Sequence, residues 1–150
     1  MVLKVVPVDP RSLFMGRYMT LSYDISRITL TPDWAAATRD LNPGDPVYIG
    51  LTRDRPARVS DVGSWLPTSD VPNQIYLKGI VQYKSSDVLQ VAYGIERYYI
   101  PEKRTDEVAA IESRIAGGNK PVSTTVEIAV ARDGRAMLRK VIVAGTPLDF

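Results

Sequence analysis

A chain of 150 residues fits one domain, and a domain of that size buries about 68–70% of the surface its unfolded chain exposes. Hydrophobic residues make up 45% and charged residues 24%, which excludes a disordered chain, and a net charge of +2 is too weak a field to indicate nucleic acid. There is no cysteine and no histidine. That removes disulfides, thiolate chemistry, Ser-His-Asp catalysis and Cys- or His-ligated metals, so any enzyme here must use carboxylates, Lys or Tyr.

The amino end, "MVLKVVPV", is interrupted by Lys4 and closed by Pro7. It falls far short of the ~20 apolar residues a membrane-spanning helix needs and lacks the parts of a signal peptide. It reads as a strand over 2–8 that ends at a turn enforced by Asp9 and Pro10. Gly16 then suits a tight turn. From Tyr18 the alternation is clean: Met19, Leu21, Tyr23 and Ile25 fall on one face, Tyr18, Thr20, Ser22 and Asp24 on the other.

"NPGD" at 42–45 marks a turn before the strand "PVYIGLTR". Residues 53–74 contain three prolines and little periodicity, and they are expected to form the longest loop. "IYLKGIVQY" and "VLQVAYGIERYYI" read as a strand pair joined through "KSSD". Val108, Ile111 and Ile115 recur at helical spacing, with Thr105 as cap, Asp106 and Glu107 in the first turn and Gly117 beyond the end, so a helix is expected over about 105–116. A hairpin follows: "VSTTVEIAVA", the turn "RDGR", then "AMLRKVIVA", with Val122, Thr124, Val126, Ile128 and Val130 on one face. The expected fold is therefore mostly β, an antiparallel barrel or sandwich over residues 1–150, with one helix packed across it.

In order along the chain, "PVDPRSLFMGRYMTLSYDI", "PVYIGL", "YLKGIV", "YGIERYYIPE" and "VEIAVARDGRAMLRKV" are similar to segments of the GDYXXLXY family, bacterial proteins named for an octapeptide. The likeness covers most of the chain, with one departure: Arg17 stands where the family has Asp. A chemical or capping role of that carboxylate would be lost or moved here. The resemblance implies an amino-terminal membrane anchor, expected to be missing from this chain, and a domain on the outer side of the bacterial inner membrane beside a membrane-protein partner. It implies no reaction and no cofactor.

Three groups of residues are candidate sites. In the octapeptide, Gly16, Tyr18, Leu21 and Tyr23 either line a pocket or serve a turn and a core, and the alternation favours architecture. A buried Tyr23 then needs a partner for its hydroxyl. In "YGIERYYIPE", strand alternation places Tyr93, Arg97 and Tyr99 on one face and Glu96 on the other. Arg97 between aromatics suits a carboxylate or phosphate, so this face is a candidate ligand or partner site. "SWLPT" at 64–68 resembles the nucleophile region of signal-peptidase-type serine proteases, in which a desolvated Lys activates the Ser; Ser64 with Lys78 would form that dyad. The Gly-Asp element that those proteases place after the Ser lies before it here, at Gly44-Asp45, and a surface Pro turn explains the same residues.

Carboxylates such as Asp61 with Asp70, or Asp106 with Glu107, lack acid-base or metal-ligand spacing. Basic residues at 53, 55 and 58 and at 132, 135, 139 and 140 read as solvated turns and edges. The expectation is a non-enzymatic, membrane-tethered interaction or accessory domain without metal or cofactor. The alternatives are a Ser64-Lys78 hydrolase or a small-ligand module on the Tyr93-Arg97-Tyr99 face.

Overall fold

The computed structural model describes residues 1–6, 14–15, 18–69, 71–100, 102–104, 106–107, 109–110, 123–143 and 145–149. Twelve strands occur among them: β1 (Val2–Lys4), β2 (Phe14–Met15), β3 (Tyr18–Thr20), β4 (Arg27–Thr29), β5 (Pro46–Thr52), β6 (Val59–Gly63), β7 (Gln74–Lys84), β8 (Val88–Ala92), β9 (Arg97–Tyr99), β10 (Thr124–Val130), β11 (Ala136–Val143) and β12 (Thr146–Asp149). They build three antiparallel sheets, ordered β1-β10-β11-β12, β2-β3-β9 and β4-β8-β7-β5-β6. The architecture is mostly β, as period-two patterning predicts.

Burial follows the alternation of the octapeptide strand closely. Met19, Leu21, Tyr23 and Ile25 are buried, and Tyr18, Thr20, Ser22 and Asp24 are exposed. The phase survives a 3-10 turn at Asp24–Ser26, in which the Ser26 backbone N–H donates to the Tyr23 carbonyl at 2.9 Å. One hydrophobic cluster joins these residues to Leu3 of β1, Val47, Ile49 and Leu51 of β5, Leu77 of β7, and Val126 and Val141 of β10 and β11. All three sheets therefore share one core.

The carboxyl-terminal hairpin forms as expected, with β10 paired to β11 and a bulge between Glu127 and Ile128. Its turn does more than reverse the chain. β8 ends at Ala92, which leaves the β8-facing edge of β7 unpaired beyond Ile80, and the Lys78 amide on that stretch donates to the Gly134 carbonyl at 2.7 Å. Gly134 has φ +91°, and a Cβ on it would lie 3.0 Å from the Lys78 nitrogen. Only glycine satisfies both demands. The hairpin tip thereby seals the exposed end of a neighbouring sheet.

Two expectations need amendment. Residues 53–74 are not one long loop: β6 lies within them and pairs with β5, its signal masked by polar Ser60 and Asp61 beside Val59 and Val62. A short helix, α1 (Pro32–Ala37), also occurs outside the predicted 105–116 segment. The Thr31 hydroxyl accepts from the Trp34 amide at 3.2 Å, Pro32 occupies the first turn and Asp33 follows, a capping signature visible in the sequence. At the other end, the Lys84 ammonium donates to the Thr38 and Arg39 carbonyls at 2.7 and 2.9 Å. Asp106, Glu107, Ala109 and Ala110 are helical. The rest of the predicted 105–116 helix, with Val108, Ile111 and Ile115, lies outside the described residues, as do the Asp9-Pro10 turn, Gly16, Arg17 and Val122.

Candidate functional site

The octapeptide divides its residues between two tasks. Inward, Leu21 and Tyr23 are buried, and the Leu21 amide donates to the Glu96 carbonyl at 2.7 Å. The Tyr23 hydroxyl donates to the Ile95 carbonyl, while the Tyr93 hydroxyl donates to the Ile25 carbonyl at 2.6 Å. Burial pushes both phenols well above their ordinary pKa, and the Glu96 charge adds to the effect. Glu96 itself accepts from the Tyr93 amide at 2.5 Å, closing the turn around Gly94.

That turn corrects the face expected for residues 93–99. Gly94 takes φ +82°, β9 begins only at Arg97, and the alternation slips by one between Ile95 and Tyr98. Tyr93 consequently lies in the core with Ile95 and Tyr98, whereas Arg97 and Tyr99 face outward. Tyr93, Arg97 and Tyr99 therefore do not share the one face expected of them.

A different surface appears instead. Tyr18 of β3 stands directly opposite Tyr99 of β9, and Thr20 stands opposite Arg97. The two phenol rings meet edge to face with centroids 5.4 Å apart, and the residues are 49% and 48% exposed. Behind them Met19 and Tyr98 are buried, so this outward pair rests on a packed strand pair. Half-exposed tyrosines held rigidly beside an arginine are the composition of interaction surfaces.

Ser64 and Lys78 are not brought together. Gly63, next to Ser64, pairs with Tyr48 on one side of β5, and Lys78 pairs with Tyr48 on the other. One strand separates them, or roughly 9–10 Å between backbones. Among the described residues no hydrogen bond joins their side chains. Trp65 and Thr68 of the same segment are exposed. Asp61 is likewise not paired with a second carboxylate among the described residues; Asp70 lies outside them.

A polar arrangement that the sequence reading passed over lies on β6 and β7. The Tyr76 hydroxyl donates to Asp61 Oδ2 at 2.5 Å and lies 3.0 Å from the Gln74 side-chain amide. Asp61 Oδ1 accepts from the Val62 amide at 2.9 Å. Between them runs Gly50 of β5, where a Cβ would stand 2.9 Å from Asp61 Cβ and 3.1 Å from the Tyr76 ring. The missing side chain lets Tyr76 reach across a whole strand. Burial, reinforced by Asp61, pushes the Tyr76 phenol up to about 12. The phenol's one proton goes to the carboxylate at the shorter distance, and Gln74 Oε1 lies beside the same hydroxyl. Gln74 and Tyr76 line a cleft of about 490 Å³ whose charged side chains, among the described residues, are those of Arg53 and Arg132. No group of three metal-ligating side chains occurs among the described residues.

Residues 1–141 match the GDYXXLXY protein family. The chain belongs to that family. The described part of the family octapeptide carries the exposed Tyr18 on β3 and the buried Tyr23 beyond it. No curated protein and no solved structure matches the chain. Among the described residues no helix is long and apolar enough to cross a membrane.

Proposed function

We propose that this GDYXXLXY domain is a non-enzymatic interaction module, tethered at the outer side of the bacterial inner membrane and docking on a membrane protein through Tyr18, Tyr99 and Arg97. The observation that carries the reading is the tyrosine pair. Two large rings stay half exposed on paired strands whose neighbouring residues Met19 and Tyr98 are buried, although a polar residue at either place would serve the sheet as well. Tyrosine and arginine supply contact area and directed hydrogen bonds at low entropic cost, which is why they dominate binding hot spots. The tether and the membrane partner are taken from what the resemblance to the family implies.

The test uses the full-length gene product in its native cell. A photo-crosslinking amino acid placed at 18 or 99 is expected to give a discrete adduct with a membrane protein, while the same group at Tyr83, which is also exposed, gives none. Protease added to cells with a permeabilised outer envelope is expected to digest the domain. Protection from that protease would refute the outward location; adducts absent, or identical at all three positions, would refute the surface.

A further inference from the structure

We propose that the cleft beside Tyr76 is a binding site for a small amphipathic anion, an apolar chain or ring ending in a carboxylate or phosphate group. It lies on other strands than the tyrosine pair and does not depend on the function proposed above. Its volume, about 490 Å³, falls in the range of small-molecule sites. Its lining mixes apolar side chains, Leu66, Val71 and Ile75 with Ile128 and Val130 of β10, with the polar Ser69, Asn73 and Gln74.

Among the described residues, the charged side chains that line the cleft are both cationic. Arg53 follows β5 and Arg132 sits in the β10–β11 turn, and both line the cavity. Neighbouring arginines are neutralised locally, Arg58 by Asp54 at 2.8 Å and Arg135 by Asp133 at 2.8 Å. Neither Arg53 nor Arg132 has an acidic partner among the described residues. An anion entering beside such guanidinium groups gains charge attraction and accepts paired hydrogen bonds.

The carboxylate closest to the floor does not oppose such a ligand. Asp61 lies behind Tyr76, with one oxygen occupied by the phenol and the other by the Val62 amide. What the floor presents is Gln74 and a neutral phenol. Apolar side chains interleaved with neutral polar ones, and two arginines in the same lining, match a ligand with an apolar body and a single anionic head.

Octanoate and octyl phosphate are suitable probes, titrated into the intact chain with calorimetry and amide NMR as readouts. Saturable binding is expected, with shifted signals for Arg53, Gln74, Tyr76 and Arg132; the stronger of the two probes identifies the head group. The double variant Arg53→Gln, Arg132→Gln is expected to weaken it by about tenfold or more without altering the thermal midpoint, and 1-octanol is expected to bind about tenfold more weakly than octanoate. Both arginines are exposed, so the variant folds. The proposal is overturned if neither probe binds saturably at millimolar concentration. It is equally overturned if octanol binds as well as octanoate, or if the double variant retains full affinity.

Discussion

Tyr23 and Tyr93 brace one another's chain segments: each hydroxyl donates to the backbone carbonyl two residues beyond the other, Tyr23 to Ile95 and Tyr93 to Ile25. The final tyrosine of the family octapeptide is therefore one half of a reciprocal clamp between residues 23–25 and 93–95. Removing either hydroxyl leaves a buried carbonyl unsatisfied. Tyr23→Phe and Tyr93→Phe are each expected to lower stability by about 1–2 kcal/mol in urea unfolding. Because both bonds hold the same two segments, the double variant is expected to depart from additivity by about 0.5 kcal/mol or more. Strict additivity would show that the two bonds act separately.

Stability is expected to fall on the alkaline side. The folded-state pKa values of Tyr23 and Tyr93 lie above the unfolded value near 10, so the unfolded chain ionises first. Their contribution is fully present below pH 10 and is lost as pH rises from there towards the folded pKa. Each buried phenol adds a slope of about 1.4 kcal/mol per pH unit in that region. Unfolding measured between pH 9 and 11, taken as roughly the unfolded phenol pKa and its flanks, is expected to show a shallower loss in Tyr23→Phe. A pH-independent stability there would count against burial of these hydroxyls.

At Tyr76 the two causes of the raised pKa can be separated. Burial raises it first, and Asp61 adds through both its hydrogen bond and its charge, so Asp61→Asn is expected to lower the phenol pKa from about 12 without returning it to its ordinary value. Ultraviolet titration of phenolate absorbance, compared with Tyr76→Phe to assign the signal, reads this directly. An unchanged value would mean that the Asp61 contact is not made in solution.

Gly79 has no room for a side chain: a Cβ there would lie 2.2 Å from Val91 Cγ1. Gly79→Ala forces β7 and β8 apart in the core and is expected to cost about 1–3 kcal/mol. Gly44 and Gly145 have open space around their added Cβ, but positive φ strains a side chain at both, so neither serves as a neutral control. Chemical denaturation of Gly79→Ala alone suffices; a loss below about 0.5 kcal/mol, the ordinary range for surface changes, would contradict the packing.

The Tyr18–Tyr99 pair is expected to matter more for binding than for folding. As a cross-strand pair on a solvent-facing surface it contributes about 0.2–1 kcal/mol. Tyr18→Ala with Tyr99→Ala should therefore leave a folded protein by circular dichroism while removing the partner adduct in cells. A globally unfolded double variant would place the pair in the architecture instead.

Alternation is a local property, and what it governs could be read directly. The inward set Met19, Leu21 and Tyr23, the pairing of β7 with β8 and the β10–β11 hairpin follow from period-two patterning and turn residues, because a strand with one buried face has a single workable phase. The absence of cysteine and histidine likewise needs no coordinates. Contacts between distant residues were settled only by the tertiary structure. Nothing near Tyr23 announces that Ile95 accepts its hydroxyl, and nothing near Gly94 reveals that its positive φ turns Tyr93 inward and Arg97 outward. Tyr76 reaches Asp61 because a glycine lies on the strand between them, and the cleft gathers Arg53, Gln74 and Arg132 from separate parts of the chain. Such juxtapositions depend on which strands become neighbours, a consequence of burying one shared core that no short stretch of sequence encodes.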